Sequence, residues 1–196
     1  MFRKTIHLFS SVIPLMYIFW GSWEFYVYAL SVLSAVMVLI DFFRYKDRNF
    51  NQFYMRALGN ILRTHELNKR KTIFTGGTYL IIAFLICVLI FPRQIAIISM
   101  LILSVCDSAA AISGKIFGKK RIKNKTLEGS IGFFITGVLI IFLTPKMSDS
   151  FSEYYIALTA LVLTTLFELI PLRIDDNFSI PVFFGAVYLL LFNIFI

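Results

Sequence analysis

Carboxylates at the ends of apolar segments are the first residues in this sequence that could do chemistry. A carboxylate inside a membrane segment costs about 2.5–3.5 kcal/mol on insertion scales, so it normally has a partner or a task. Asp175, Asp176 and Asn177 also supply hard oxygen ligands of the kind that Mg²⁺ prefers. Ion pairing at helix ends is the alternative for any single acid. The acidic candidates are Asp107, Glu128, Glu168, Asp175 and Asp176.

A basic stretch lies between two of these acids. Asp107, Ala111, Gly114 and Gly118 are separated by four, three and four residues, which places them on one helix face. That small face would let a phosphorylated ligand approach the backbone, and it also suits plain helix packing. Lysines offer mobile point charges to phosphate oxygens, and a helix N-terminus offers N–H groups. The predicted phosphate-binding residues are Gly114, Lys115, Gly118, Lys119, Lys120, Lys125, Thr126, Gly129 and Ser130.

The elements that must position these residues are apolar helices. Of the 196 residues, 59% are hydrophobic and 15% are charged, and the mean hydropathy is +0.82. A soluble domain is about 45–50% apolar and about 25% charged, so a water-soluble globule and a disordered chain are both excluded. We predict an all-α polytopic membrane helix bundle that forms a single domain over residues 1–196. The seven predicted spans are 6–23, 25–43, 73–91, 94–113, 129–144, 154–172 and 180–196.

Lysine and arginine set the predicted orientation. With the N-terminus in the cytoplasm, 17 of the 19 basic residues lie on the cytoplasmic side, and only Arg93 and Lys146 lie on the other. The positive-inside rule therefore predicts a cytoplasmic N-terminus and a site that faces the cytoplasm. In the basic segment at 44–71, apolar residues at helical spacing predict an amphipathic helix on the membrane surface. The second basic segment, at 114–128, is the predicted phosphate-binding loop.

Four blocks of the sequence form a recognisable set. They are R-K-T-I-H at 3–7, Arg63-x-x-Glu66 with G-G-T-Y at 76–79, the stretch from Asp107 to Lys119 with K-T-L-E-G-S at 125–130, and Glu168-x-x-Pro171 with D-D-N-x-x-I-P at 175–181. Together they resemble the CTP-dependent lipid kinase family, which includes dolichol kinase, phytol kinase and the yeast-type diacylglycerol kinase. The third and fourth blocks are the specific ones.

The resemblance implies phosphoryl transfer from a nucleoside triphosphate, CTP in this family, to the hydroxyl of a polyprenol, a phytol-like alcohol or a diacylglycerol. It makes 114–128 the nucleotide-binding loop, with its lysines on the triphosphate. The implied Mg²⁺ ligands are Asp107, Glu128, Asp175, Asp176 and Asn177. The implied catalytic residues are His7, Asp107, Glu128, Glu168 and Asp176, and the general base stays open among His7, Glu168 and Asp176.

Two other functional classes remain as alternatives. Phosphatidate cytidylyltransferases are similar around K-T-x-E-G and the preceding D-x-x-A-x-x-x-G, but they normally carry P-G-H-G-G followed by D-x-x-D, and this chain has neither run. A transporter or scaffold should show polar residues at mid-membrane depth, where this sequence has almost none. The expected partners are a lipid alcohol, a nucleoside triphosphate and the bilayer, without nucleic acid. The oligomeric state, including a homo-oligomer, is left open.

Overall fold

Helices make up most of the chain in this computed structural model, which describes residues 2–59, 62, 74–122, 125–148, 150–171 and 174–196. The α-helices are α1 Phe2–Phe9, α2 Val12–Phe19, α3 Trp23–Lys46, α4 Arg48–Leu58, α5 Gly76–Ile90, α6 Arg93–Leu101, α7 Asp107–Ile116, α8 Leu127–Leu143, α9 Phe151–Glu168 and α10 Asp176–Phe195. A π-helical segment, Ile102–Cys106, joins α6 to α7. Two short antiparallel strands, β1 Arg121–Ile122 and β2 Lys125–Thr126, lie between α7 and α8.

The helix running through α6, the π segment and α7 is the centre of the bundle. Its most apolar window is 72% buried, against 22% for α3 and 28% for α10. Large apolar side chains cover the outside instead, and Leu143 and Phe151 are more than four-fifths exposed. Exposed apolar surface on this scale marks contact with lipid or another partner. The all-α class and the membrane character predicted from composition are confirmed.

Within the described part of the chain, three helices are long and apolar enough to cross a membrane, namely Trp23–Lys46, Arg93–Ile116 and Asp176–Phe195. Shorter apolar helices cover Ile6–Phe19, Gly76–Ile90 and Leu127–Leu143. Each of the seven predicted segments contains helix, but seven spans remain a prediction. At about 1.5 Å per residue, the 17 residues of α8 extend about 26 Å. Helix α4 lies within the predicted amphipathic segment, whose place on the membrane surface remains a prediction. Residues 60–61 and 63–73 of that region lie outside the described residues.

The first predicted span is divided at Ser10 and Ser11 between α1 and α2. Ser10 Oγ donates to the carbonyl of His7 at 2.6 Å, and Ser11 Oγ donates to that of Leu8 at 2.5 Å. Serine hydroxyls that bond to the preceding turn compete with the helical ladder, and Pro14 has no N–H to give to Ser10. The break therefore follows from local sequence.

Six helix ends meet at one end of the bundle, which we call the polar end. It comprises the C-terminal ends of α3, α7 and α9 and the N-terminal ends of α5, α8 and α10. Contacts across it include Thr75 with Asp41, Lys125 with Glu168, and Asn177 with Gly76. The carboxyl-bearing blocks of the sequence are therefore brought to the same end of the molecule.

A buried glutamate organises the opposite end. Glu153 is 0% exposed and accepts hydrogen bonds from the backbone N–H groups of Met147 (2.9 Å) and Ser148 (2.6 Å). The Ser148 hydroxyl donates to it at 2.9 Å and the Tyr188 hydroxyl at 2.6 Å. Four donors compensate the desolvation of this carboxylate and tie the loop before α9 to α10.

Replacing Glu153 with glutamine should lower the free energy of unfolding by about 1–3 kcal/mol, because an amide NH₂ would then face donors and leave buried groups unpaired. Thermal unfolding of the purified protein in detergent measures this. Glu24→Gln is the matched control, since Glu24 is an exposed glutamate in the first turn of α3. Equal melting temperatures for the two variants would contradict a stabilising role for Glu153.

Candidate functional site

Lys125 lies at the centre of the polar end. Its Nζ is 2.9 Å from Oε1 of Glu168 and 3.1 Å from Oδ2 of Asp176, so β2, α9 and α10 meet at one ammonium group. Glu168 is 5% exposed, whereas about a third of the Asp176 side chain is exposed. One buried and one partly exposed carboxylate thus share a single cation. We call Lys125, Glu168 and Asp176 the Lys125 cluster.

Local sequence explains how these three groups converge. The two-residue strands pair Lys125 with Ile122, which turns the chain back between α7 and α8. Thr126 then caps α8, because its Oγ1 accepts from Gly129 N at 3.2 Å. Asp175 caps α10 by accepting from Asn177 N at 2.9 Å, which places Asp176 in the first turn. Threonine and aspartate are favoured at helix N-caps.

A second acid–base pair lies beside this cluster. His7 Nδ1 is 3.9 Å from Oδ2 of Asp107, and both side chains are largely buried. Asp107 and Asp176 are both near enough to Glu168 to interact with it electrostatically. The structure therefore brings together His7, Asp107, Lys125, Glu168 and Asp176, which the sequence places more than 160 residues apart at the extremes.

The π-helical segment Ile102–Cys106 comes directly before Asp107. Such segments insert extra residue length into a helix and are frequent at functional sites. The segment also contacts the end of α1, since Ser10 Oγ lies 3.0 Å from Ser104 Oγ. Ser10, at the break between α1 and α2, thus contacts both His7 and the π segment that precedes Asp107.

Three lysines of the basic loop lie on the surface. Lys115, Lys119 and Lys120 are exposed, and are therefore accessible to a phosphorylated ligand. Glu128 is directed to the same loop, where both of its carboxylate oxygens accept from Lys120 N, at 3.2 and 3.3 Å. In this arrangement Glu128 supports the loop backbone rather than the Lys125 cluster.

Small residues let α7 and α8 approach closely. A Cβ on Gly129 would lie 2.9 Å from the Ala110 carbonyl, and a Cβ on Gly114 would lie 2.6 Å from Thr126 Oγ1. Both predicted phosphate-binding glycines thus lie at the close contact between α7 and α8, and their contact with phosphate remains a prediction. Gly118 is exposed beside the loop lysines, and Ser130 Oγ donates to Glu168 Oε2 at 3.4 Å.

The five predicted Mg²⁺ ligands are distributed over the polar end. Among the residues that the structure describes, no group of three or more His, Cys, Asp or Glu side chains is placed to hold a metal ion. Asp175 caps α10, Glu128 contacts the loop, and Asn177 donates from Nδ2 to the Gly76 carbonyl at 2.8 Å. Asp176 and Asp107 both interact electrostatically with Glu168.

One polar network at this end was not predicted. Asp41 is 1% exposed and accepts from Thr75 N (2.7 Å) and Thr78 Oγ1 (2.6 Å), while Arg44 Nε lies 3.3 Å from its other oxygen. It fixes the start of α5, including Gly76. The rule that a carboxylate in an apolar span needs a partner would have identified Asp41, which lies inside the predicted span 25–43 with Arg44 three residues later.

An apolar cavity of about 350 Å³ opens beside the cluster, between α1, α3, α4 and α5. Its walls are mostly aliphatic, from residues such as Leu33, Leu80 and Ile81. His7 and Asn177 also line it, so one side chain of the acid–base pair and the neighbour of Asp176 face the same space. Cavities of this size and polarity are typical of small-molecule sites.

Relatives of this chain are found among known proteins. It is 31% identical over 208 residues to a probable chloroplastic phytol kinase of Triticum aestivum. The match covers 97% of this chain and 67% of the T. aestivum protein. It is 37% identical over 101 residues to CTP-dependent diacylglycerol kinase 1 of Schizosaccharomyces pombe, covering 50% and 44%. An uncharacterised protein of Rickettsia prowazekii is 26% identical over 181 residues, covering 91% and 88%. The match to the S. pombe kinase thus spans less than half the length of that protein.

No family model and no solved structure matches the chain. Proteins named as phytol kinase or diacylglycerol kinase nevertheless match this chain, and several of these matches extend over most of its sequence. The resemblance noted from the four sequence blocks is confirmed.

Proposed function

Because this chain belongs to the CTP-dependent lipid kinase family, we propose that it transfers the terminal phosphoryl group of CTP to the hydroxyl of a membrane lipid alcohol. The observation that carries the proposal is the convergence of Lys125, Glu168 and Asp176 next to the His7–Asp107 pair and the apolar cavity. Such a site offers charge for a triphosphate on one side and space for a hydrocarbon on the other.

Phosphoryl transfer needs positioning and charge neutralisation more than covalent help from the protein. In our proposal Lys125 exchanges a carboxylate partner for a phosphate oxygen, and Lys115, Lys119 and Lys120 hold the rest of the triphosphate. Their exposed positions on the loop suit a ligand that arrives from water. The contacts of Glu128 with Lys120 N keep that loop close to α8.

Mg²⁺ is the proposed metal, and Glu168 and Asp176 would hold it together with phosphate oxygens of the donor. The fit rests on the donor set: Glu168 and Asp176 both lie within 3.1 Å of the Lys125 ammonium, so two carboxylates already converge on one cationic centre. Mg²⁺ is usually held by one or two carboxylates together with substrate phosphates. When bound, it would neutralise charge on the β- and γ-phosphates.

The acceptor hydroxyl attacks the γ-phosphorus, the bond from that phosphorus to the β–γ bridging oxygen breaks, and CDP leaves. We assign the hydroxyl proton to the His7 imidazole, because His7 lines the apolar cavity while Glu168 and Asp176 hold Lys125. Asp107 beside Nδ1 would stabilise the imidazolium. The hydrocarbon part of the acceptor needs no polar contact and stays among the aliphatic walls.

The proposed topology has seven spans, a cytoplasmic N-terminus and the polar end at the cytoplasmic surface. It is supported by the distribution of lysine and arginine and by the meeting of six helix ends at the polar end. Nucleotide is confined to water and the lipid hydroxyl stays near the headgroups, so this depth serves both substrates.

The direct test is incubation of the purified protein in detergent with Mg²⁺, γ-labelled CTP or ATP, and separate lipid alcohols. The acceptors are a polyprenol, phytol and diacylglycerol, and the products are separated by thin-layer chromatography. We expect label in a lipid monophosphate, with CTP the better donor. No labelled lipid with any acceptor would overturn the proposal. So would a CDP-lipid as the only lipid product when α-labelled CTP is incubated in parallel with these alcohols and with phosphatidic acid.

A further inference from the structure

Asn177 has a buried oxygen that lacks a partner. The side chain is 1% exposed, and its Nδ2 donates to the Gly76 carbonyl at 2.8 Å. Because a carbonyl can only accept, this bond fixes which end of the amide is nitrogen. Oδ1 then has no hydrogen-bond partner among the described residues. A buried acceptor left unsatisfied costs about 1–3 kcal/mol, so native structures normally provide one with a donor.

A ligand in the apolar cavity could supply the hydrogen-bond donor that Asn177 Oδ1 lacks. Asn177 lines the apolar cavity, whose walls are mostly aliphatic. The hydroxyls of Ser10 and Thr75, which line it too, are engaged with His7 O and Asp41 Oδ2. A charged ligand would be expensive in such a space. A hydrocarbon with a single hydroxyl would fill the aliphatic part and supply the donor.

We propose that the apolar cavity binds the acceptor lipid alcohol, with the alcohol O–H donating to Asn177 Oδ1 and one hydrocarbon chain lying against Leu80 and Ile81. The inference rests on the proposed function. Asn177 follows Asp176 directly, so a hydroxyl held there lies next to the Lys125 cluster. His7 faces the same cavity. In the loose transition state of phosphoryl transfer the O–H is still bound to Asn177 Oδ1, and its proton passes to His7 as the new P–O bond is completed. Asn177 is thus a positioning residue for the acceptor.

The Asn177 amide is anchored through its nitrogen to the start of α5. The Gly76 carbonyl belongs to the first turn of α5, and the start of α5 is held by the bonds from Thr75 and Thr78 to Asp41. The buried Asp41 network therefore orients Gly76, and Gly76 orients Asn177. A rigid acceptor keeps the alcohol oxygen in place, which is what alignment with a phosphorus atom requires.

Steady-state kinetics of Asn177→Leu test the positioning role. We expect kcat/KM for the lipid alcohol to fall about tenfold, the loss of one hydrogen bond, with the KM for CTP unchanged. Ser179→Ala is the matched control, because Ser179 is a buried α10 residue whose Oγ also lacks a partner among the described residues but does not line the cavity. Equal effects of both variants on the alcohol, or an equal rise in the KM for CTP, would overturn the role.

Photolabelling of the wild-type chain without nucleotide tests binding separately from catalysis. A long-chain alcohol with a diazirine on its chain should label Leu80 or Ile81, whereas the matched methyl ether, which has no O–H, should label them several-fold less. Labels outside the cavity, or equal labelling by alcohol and ether, would overturn the inference even if the protein phosphorylates lipids. Cavity labelling without phosphorylation would support the site and refute the proposed kinase activity instead.

Discussion

Replacing Lys125 with methionine is expected to lower kcat for lipid phosphorylation by about 10²–10³-fold, the usual effect of removing one group that stabilises developing charge. Methionine keeps much of the length and apolar volume of the side chain but removes the ammonium. The change also leaves Glu168 and Asp176, which both contact Lys125 Nζ, without their shared cation. Two close carboxylates would then repel the phosphates of the donor.

Two variants separate this effect from general charge loss. Lys125→Arg keeps the positive charge and should recover part of the rate. Lys46→Met removes a lysine that is exposed at the polar end, at the C-terminus of α3, and should change kcat less than threefold. Comparable losses in Lys125→Met and Lys46→Met would show that the rate depends on overall charge and that Lys125 has no specific role.

Asp107→Asn is expected to reduce kcat by about 10²–10⁴-fold, the range for loss of general acid–base assistance. The amide is nearly the same size, so the end of the π segment should keep its packing. If His7 and Asp107 act as one unit, His7→Gln should cost a similar factor, and the double variant should be little worse than either single one. Labelled lipid phosphate formed at saturating CTP is the measurement.

Asp47→Asn is the control for this series. Asp47 caps α4 by accepting from Asn49 N and Phe50 N, and asparagine is an equally good N-cap. We expect full activity and unchanged thermal stability. Additive losses in the His7 and Asp107 double variant would contradict a shared proton-transfer role, and an Asp107→Asn protein with normal turnover would remove Asp107 from the mechanism.

Much of the helix pattern was predictable, because long apolar runs leave few alternatives to a membrane helix. The convergence of Asp107, Lys125, Glu168 and Asp176 also followed from the sequence. Helices that cross back and forth return every second connection to the same end, so residues at those connections must meet. The partners of each side chain were not predictable in this way, since they depend on how the helices rotate and pack.

The orientation of Asp107 and the partners of Thr126 and Asn177 depend on local geometry that residue types alone do not determine. The one-residue shift of a π segment leaves no mark on hydropathy, so the orientation of Asp107 was hidden. Thr126 suits a phosphate and a helix cap equally well by type, and its bond to Gly129 N selects the cap. Asn177 has the oxygen that a metal ligand needs, but its amide nitrogen is held by Gly76 over one hundred residues away in sequence.

Lys125 acts as an internal counter-ion for Glu168 and Asp176. A site that carries its own cation has less attraction for stray divalent ions between turnovers than two bare carboxylates would have. On the proposed mechanism, the lysine moves only when a triphosphate offers it better oxygens, and its departure is what uncovers the carboxylates. Donor and metal would therefore have to arrive together.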